Sequence, residues 1–370
     1  MKELALVFLR LGTTAFGGPP VHIGMMEDEF VRRRAWLTRE QFLDLVGAAG
    51  LLPGPTSTEV AIYIGYRRAG WRGLLMAGLC FILPAAVIVT AIAWAYVRFG
   101  RLPAVGGALY GIKAVIIAVV GQALVAFGRT AIRSKWLLVL GAAAALASFL
   151  GVSPVVVLVA AGITNAVVRR VGPPDASTAF LAWPATLAAP AVAGAAAPLA
   201  KLFLVFLKVG ALVFGSGYVL LAFLRADLVE RTHWLTASQL IDAVAVGQFT
   251  PGPVFTTATF VGYVVAGLPG ALVATIGIFL PSFVLVAISG PFLPRLRQSP
   301  AASAFLDGVN VGSLALMAVV AVQLGRAAIV DIPTAVLAIA GAIALLRWRV
   351  NSTWLVLGGA VVGAAAQWGR

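Results

Sequence analysis

Residues 41–66 read QFLDLVGAAGLLPGPTSTEVAIYIGY, an apolar run with Pro-Gly-Pro in its middle. Residues 239–263 read QLIDAVAVGQFTPGPVFTTATFVGY and repeat the pattern. Two prolines remove backbone donors and stop a helix, and the glycine between them permits unusual backbone angles. The sequence therefore predicts a broken helix in each of two equivalent segments.

The similarity of these two segments extends along most of the chain. The first matches lie 198 positions apart, and after one deletion the spacing becomes 197. The matched pairs include Phe16-Gly17-Gly18 with Phe214-Gly215-Ser216, Trp36-Leu37-Thr38 with Trp234-Leu235-Thr236, and Gly65-Tyr66 with Gly262-Tyr263. Self-similarity at a fixed spacing indicates two tandem homologous halves.

We place the first half at residues 1–170, a linker rich in Pro and Ala at 171–198, and the second half at 199–370. The linker is long enough to cross a membrane once, which would invert the second half relative to the first.

Basic residues in the loops bear on this inversion. Arg67, Arg68 and Arg72 lie between two apolar runs of the first half, whereas the matching loop at 264–269 has no charge. Loops rich in Lys and Arg favour the cytoplasmic side of a membrane. A difference in basic charge between equivalent loops therefore indicates that they lie on opposite sides of the membrane. The matched pair Arg98 and Arg295 argues against inversion. We predict an inverted repeat.

Composition excludes a soluble globule. Hydrophobic residues make up 61% of the chain and charged residues 11%, and the mean hydropathy is +1.01. That is too little polar surface to cover a globule of this size. Apolar runs of about 20 residues match the length needed to cross a hydrocarbon core of about 30 Å. The sequence predicts an all-α polytopic membrane protein with roughly ten to twelve membrane segments.

The net charge of +14 comes from short basic clusters between apolar runs, so we read them as topology signals and not as a nucleic-acid surface. The charged stretch from His22 to Glu40 is interpreted as a solvated interfacial helix. Thr38 and Gln41 form a capping-box pattern at the next helix start. We find no P-loop, Rossmann, HExxH or Cys and His cluster, so we expect no cofactor, no metal and no enzyme activity.

The two breaks are the best candidate for an anion site. A helix that restarts after a break offers unpaired N–H groups and a partial positive charge. Two broken helices facing each other would form one site between the halves. A structural kink capped by Thr hydroxyls is the alternative. The substrate-binding candidates at the breaks are Pro53, Gly54, Pro55, Thr56, Ser57, Thr58, Pro251, Gly252, Pro253, Thr256 and Thr257.

Two further features could bind an anion. The first is the Gly-rich turn that follows the opening apolar segment of each half. Its consecutive backbone N–H groups could form a concavity that binds an anion. Lys113 lies deep in an apolar run and matches Asn310, so it could neutralise a dianion, although snorkelling or pairing with a carboxylate is equally open. The turn candidates are Gly17, Gly18, Gly215, Ser216 and Gly217.

Three carboxylates are candidates for proton coupling. Asp44 and Asp242 match each other, and Glu59 follows the first break, where the second half has Thr257. A carboxyl in a low-dielectric site can carry protons, but Asp44 and Asp242 could equally cap helices or pair with arginines. His22 has no ionisable counterpart at Leu220 and is a weak candidate.

Several motifs together resemble the chromate transporter family in its two-domain form. They are Phe16-Gly17-Gly18-Pro19 with His22-Ile23, Trp36-Leu37, Asp44, Pro53-Gly54-Pro55, Gly65-Tyr66, Gly70 and Pro84. The resemblance implies export of chromate across the inner membrane of a prokaryote, driven by the proton-motive force. Its expected partners are a small oxyanion and the lipid bilayer, without nucleic acid, and a homodimer is left open.

Other functions remain open from the residues. Sulfate is isosteric with chromate, so transport of sulfate or another oxyanion, inward transport included, is the first alternative. A membrane-embedded enzyme or a structural protein is the alternative from another class. An enzyme would need a nucleophile or metal set, and the sequence does not provide one.

Overall fold

The computed structural model describes residues 1–100, 102–169, 198–214, 217–289, 299–348 and 350–368. These residues form fourteen α-helices and no strand, so the all-α prediction is confirmed. In the first half the helices are α1 (Lys2–Thr14), α2 (Pro19–Glu27), α3 (Arg39–Ala49), α4 (Thr56–Phe99), α5 (Pro103–Ala131), α6 (Lys135–Phe149) and α7 (Pro154–Val168).

The second half repeats the seven helices in the same order. They are α8 (Pro198–Leu212), α9 (Leu220–Leu224), α10 (Ala237–Phe249), α11 (Thr257–Ser289), α12 (Pro300–Ala328), α13 (Ile332–Arg347) and α14 (Ser352–Trp368). The predicted capping boxes are present at Thr38 with Gln41 and at Thr236 with Gln239. The proposed linker lies outside the described residues except for Pro198, which begins α8.

The helix α4 is a tight hairpin of two antiparallel arms, 56–68 and 71–99. Its backbone leaves helical geometry at Ala69 and at Gly70, where φ is 56°. A Cβ built on Gly65 would lie 2.3 Å from the Gly73 carbonyl oxygen, and one on Gly78 would lie 3.0 Å from Ile62. Residues 16 positions apart would be about 24 Å apart along a straight helix, so the chain must reverse. Glycine supplies the positive φ of the turn.

The helix α11 makes the same hairpin. Its turn is at Ala266 and Gly267, where φ is 61°. The hydroxyl oxygens of Thr259 and Thr275 lie 2.7 Å apart across the two arms.

Among the described residues, four helices, with each hairpin counted as one, are long and apolar enough to cross a membrane, and they lie at Thr56–Phe99, Val105–Ala131, Val254–Ser289 and Pro300–Ala328. Four shorter apolar helices correspond to α6, α7, α13 and α14. The helices before each hairpin are shorter still: α3 has 11 residues and α10 has 13. At 1.5 Å per residue they measure about 17–20 Å, which is less than a hydrocarbon core of about 30 Å.

The two halves are interlocked by exchange of packing partners. The long helix α5 of the first half packs against α13 and α14 of the second, and α12 packs against α6 and α7. Small residues allow these helices to approach closely: a Cβ on Gly111 would lie 1.9 Å from the Gly359 carbonyl oxygen. Each half therefore supplies part of the other's helix packing.

Equivalent long helices pass each other in opposite directions. Gly78, near the start of the 71–99 arm, lies against the ring of Phe283, near the end of α11. Tyr96, near the end of that arm, contacts Phe260, whose neighbours Thr259 and Gly262 lie against Thr275 and Ala274 in the earlier part of the second arm of α11. Antiparallel equivalent helices are the arrangement expected of an inverted repeat.

A buried acid in each half ties the opening helix to the chain that follows α2 or α9. Glu29 is only 4% exposed and bonds Arg10 at 2.5 Å and Arg34 at 2.7 Å, and Asp227 pairs in the same way with Lys208 and Arg231. Burial alone would raise the pKa of Glu29, but bonds and charges from Arg34 and Arg10 hold that pKa below its usual value.

The prediction of a solvated interfacial helix was therefore wrong for Glu29. A π-helical turn at Asp28–Arg33 turns its carboxylate inward, towards α1, while Arg33 stays exposed.

Candidate functional site

The break of each half is hydrogen-bonded to the end of the opening helix of the other half. Gly54 donates its N–H to the Val213 carbonyl at 2.8 Å, and Gly252 donates its N–H to the Ala15 carbonyl at 2.9 Å. Val213 and Ala15 are equivalent positions, as are the two glycines. The two Pro-Gly-Pro breaks and the ends of the two opening helices therefore meet between the halves, around an approximate two-fold axis.

Side chains crowd both glycines of the breaks. A Cβ on Gly54 would lie 2.5 Å from Glu59 Oε1 and 2.5 Å from Ser282 Oγ, and one on Gly252 would lie 2.6 Å from Ala85 Cβ. Both glycines also have positive φ, 139° and 88°. Only a residue without a side chain fits at either position.

We expect Gly54→Ala to reduce strongly the amount of folded protein, because the left-handed backbone costs about 1–3 kcal/mol even before the clash with Glu59 and Ser282. The measurement is the amount of protein in isolated membranes and its melting temperature in detergent. Gly24→Ala is the matched control, because a Cβ there meets nothing within 4 Å. Equal behaviour of the two variants would contradict the packing described.

The first turn of α4 presents open polar groups at the break. Pro55 is the N-cap, has no side-chain bond, and accepts at its carbonyl from the amides of Thr58 and Glu59 at 2.8 Å and 3.1 Å. Thr56 and Ser57 are the first two residues of the helix, and no capping side chain accepts a hydrogen bond from their amides. Among the described residues, the buried Thr58 Oγ1 and Glu59 Oε2 have no hydrogen-bond partner. Unpartnered buried polar atoms beside a helix start indicate a place where a ligand can bind.

His22 connects the two breaks of the first half. Its Nε2 lies 3.0 Å from the Ala15 carbonyl and its Nδ1 lies 3.2 Å from Ser57 Oγ, and the ring is 1% exposed. Burial lowers the pKa of His22 to about 4, although the bond to Ala15 opposes the shift, so the ring is neutral at physiological pH. Because a carbonyl only accepts, Nε2 carries the proton, and Ser57 donates to Nδ1. The sequence made His22 a weak candidate because it has no ionisable counterpart in the second half, and the structure places its ring beside the first break.

The second break offers fewer open donors than the first. Thr256 donates its hydroxyl to the Pro253 carbonyl and Thr257 donates to the Val254 carbonyl, both at 2.8 Å. Gly217 begins a short turn beside Phe255, and the predicted site residues Gly215 and Ser216 lie outside the described residues.

The other Gly-rich turn contributes few amides. Gly17 and Gly18 have positive φ, 112° and 79°, and lead directly into Pro19 and Pro20 at the start of α2. Prolines carry no N–H, so a concavity here has the amides of the two glycines and none from the first two residues of the helix.

The structure places Lys113 with Asp242. Lys113 Nζ lies 3.3 Å from Asp242 Oδ1 and donates to Ser238 Oγ at 2.6 Å, and Tyr96 donates to Asp242 Oδ2 at 2.9 Å. Asp242 precedes Pro251 by nine residues, about 13 Å along a helix. The pairing with a carboxylate that the sequence left open for Lys113 is thus observed, and its role in substrate binding stays a prediction.

The remaining candidates are spread over the fold. Asp44 is exposed on α3 although its equivalent Asp242 is buried, and Asn310 is half-buried on α12. In the described part of the chain, no three His, Cys, Asp or Glu residues are grouped so as to hold a metal ion.

Comparison with known proteins decides the family. The family described as chromate transporter matches residues 2–166 and, a second time, residues 200–364. The chain belongs to the chromate transporter family. The predicted resemblance and the two tandem repeats are confirmed, and each repeat of this chromate transporter family member contributes one Pro-Gly-Pro break.

Curated relatives resemble the chain over nearly its whole length. It is 35% identical to the chromate transport protein of Cupriavidus metallidurans, covering 99% of this chain and 93% of the relative. It is 33% identical to the probable chromate transport protein of Synechococcus elongatus, covering 95% and 91%. It is 32% identical to the chromate transport protein of Pseudomonas aeruginosa, covering 98% and 91%. No solved structure matches the chain.

Three contacts at the site have no direct signal in the sequence. The carbonyls of Ala15 and Val213 are backbone groups that any residue would supply. Ser282 is visible only as a lone serine after Pro281 in an apolar run. At the spacing of 197 residues Ser282 is equivalent to Ala85, so the polar side chain occurs in one half and not in the other.

Proposed function

We propose that this family member exports chromate from the cytoplasm across the inner membrane of a prokaryote, coupled to the proton-motive force. The observation that carries the proposal is the convergence of the breaks at the start of α4, where Thr58 and Glu59 hold unpartnered buried oxygens. The relatives named for chromate transport support the substrate.

The chemistry of the break suits a tetrahedral oxyanion. Chromate oxygens only accept hydrogen bonds, and the start of α4 supplies donors through the amides of Thr56 and Ser57 and the Thr58 hydroxyl. The partial positive charge of the helix start adds to the attraction. In this proposal the second break encloses the anion but donates few hydrogen bonds to it, because its Thr hydroxyls already donate to backbone carbonyls.

The charge of the substrate supports the outward direction that we propose. A membrane potential, negative inside, favours outward movement of an anion by about 2.3 kcal/mol per charge per 100 mV. Glu59, fully buried beside the break, is the group we assign to proton coupling. We place the exposed turn with Arg67, Arg68 and Arg72 at the cytoplasmic face, and the uncharged equivalent turn opposite, as an inverted repeat requires.

The test is uptake of radiolabelled chromate into everted membrane vesicles that contain the protein, with and without a protonophore. We expect accumulation above that of empty vesicles, and its loss when the protonophore is added. Accumulation that is insensitive to the protonophore would contradict the proposed proton coupling. No accumulation above empty vesicles would contradict chromate export.

A second arm adds excess sulfate to the same vesicles. Strong competition by sulfate would show that the site recognises tetrahedral dianions as a class, and weak competition would show selectivity for chromate.

A further inference from the structure

Beyond the break, a row of buried polar side chains connects the first arm of α4 with α11. Ser282 Oγ lies 3.4 Å from Glu59 Oε1, and one turn further along α4 the Tyr63 hydroxyl lies 2.5 Å from Ser289 Oγ. None of the four residues is more than 2% exposed. Polar groups at membrane depth are costly, so such a row calls for a functional explanation.

The row exists on one side of the two-fold axis only. The equivalent positions on the other side carry apolar side chains. Ala85 is equivalent to Ser282, Phe260 to Tyr63 and Ile92 to Ser289. Packing alone would be served equally well by these apolar residues. The polar set is therefore a property of one pathway and not of the repeated fold.

The row leads from the break towards a charged face. Tyr63 lies on the same side of α4 as Glu59, four residues later. The chain becomes exposed from Arg67 onward, and Arg68 and Arg72 are exposed as well. Ser289 is the last residue of α11. The row thus begins at the candidate anion site, and its far end, Tyr63 with Ser289, is buried one helical turn before the arginine turn.

We propose that Glu59, Ser282, Tyr63 and Ser289 form a one-sided proton path between the anion site and the cytoplasmic face. The proposal rests on the proposed function, because it assigns the cytoplasmic half of the coupling pathway. Each hydroxyl accepts a proton on its oxygen and releases its own proton to the next acceptor. The proton lost by the Glu59 carboxyl reaches water at the arginine turn, and every hydroxyl is regenerated.

Two steps of the path differ in kind. Transfer between Tyr63 and Ser289 is direct, because their oxygens lie 2.5 Å apart, whereas the 3.4 Å between Ser282 and Glu59 must shorten before a proton passes. The step from the Glu59 pair to the Tyr63 pair covers one helical turn, about 6 Å, and needs a bridging water.

The titratable surroundings of Glu59 are few. The helix α2 contributes His22, which acts through Ser57, and α4 itself contributes Tyr63. The helix α11 has no charged residue. On α1, Arg10 is held in the pair with Glu29. Glu59 is therefore the carboxyl positioned to start the path.

The experiment uses the full chain in proteoliposomes and measures two quantities. One is proton movement that depends on a chromate gradient, read with an internal pH dye, and the other is exchange of radiolabelled for unlabelled chromate at equal pH. We expect Tyr63→Phe and Ser289→Ala to lower proton movement at least about 10-fold while exchange stays within about two-fold. Ser289→Thr, which keeps the hydroxyl, should restore proton movement.

Tyr263→Phe is the matched control, since Tyr263 is a half-buried tyrosine of the second hairpin, away from the row. Unchanged proton movement in Tyr63→Phe and Ser289→Ala, or a parallel fall of exchange, would overturn the path. Absence of chromate exchange in the unsubstituted protein would instead contradict the proposed function.

Discussion

Glu59→Gln is expected to abolish proton-coupled chromate transport, with a loss of about 100-fold or more. Glutamine keeps the volume of the side chain and the contact with Ser282, but it cannot release a proton. Glu59 is fully buried, and a Cβ on Gly54 would clash with its carboxyl at 2.5 Å, so there is little room for a water molecule to replace that carboxyl. The measurement is chromate accumulation in everted vesicles, normalised to the protein in the membrane.

The control for Glu59→Gln is Glu40→Gln, which neutralises an exposed glutamate on α3. We expect that control to transport normally. Residual transport by Glu59→Gln should no longer depend on an imposed pH gradient, because glutamine cannot take up or release a proton, while the membrane potential still acts on the anion. If Glu59→Gln keeps both its rate and its dependence on the pH gradient, another group carries the proton.

Much of the architecture could be predicted because duplication and helix breakers leave direct marks. Pro-Gly-Pro at two equivalent places fixes the breaks, since no helix continues through it. Thr38 and Thr236, each followed by glutamine at the third position, fix two helix starts. These are local signals, and local structure followed them.

Contacts between the halves could not be predicted in the same way. Offset comparison shows which residues are equivalent, but it does not show which residues touch. The packing of α5 and α12 against helices of the other half depends on tertiary structure. The hydrogen bonds from the amides of Gly54 and Gly252 end on backbone carbonyls, which every residue carries. The buried ion pairs were within reach, because the same offset matches Arg10 with Lys208 and Glu29 with Asp227.

The candidate site is asymmetric although the fold around it is approximately two-fold. The fold places equivalent backbone at both breaks, yet within the described parts of the chain the first half alone brings a histidine, a threonine hydroxyl without a hydrogen-bond partner and a glutamate to its break, at His22, Thr58 and Glu59. In the second half, Thr256 and Thr257 satisfy their hydroxyls locally. A two-fold scaffold with polar groups on one side can bind the anion at the centre and still move protons along a single route.

Lys113→Ala is expected to lower the amount of folded protein in the membrane by a large factor. Asp242 is 2% exposed, and removing its cation leaves a buried carboxylate without charge compensation. Breaking one side of a buried pair costs about 3–5 kcal/mol, a large part of the stability of most proteins. Lys135→Ala is the control, because Lys135 is exposed at the start of α6. The measurement is the quantity of protein in membranes and its melting temperature.

The double variant Lys113→Met with Asp242→Asn separates a structural pair from a substrate ligand. Removing both charges leaves neither unpaired, so protein levels should return close to normal. If chromate flux per molecule is then also normal, Lys113 acts through Asp242 and does not touch the anion. A stable double variant with flux reduced about 10-fold or more would assign Lys113 to substrate binding, because a buried ammonium is a strong partner for a dianion.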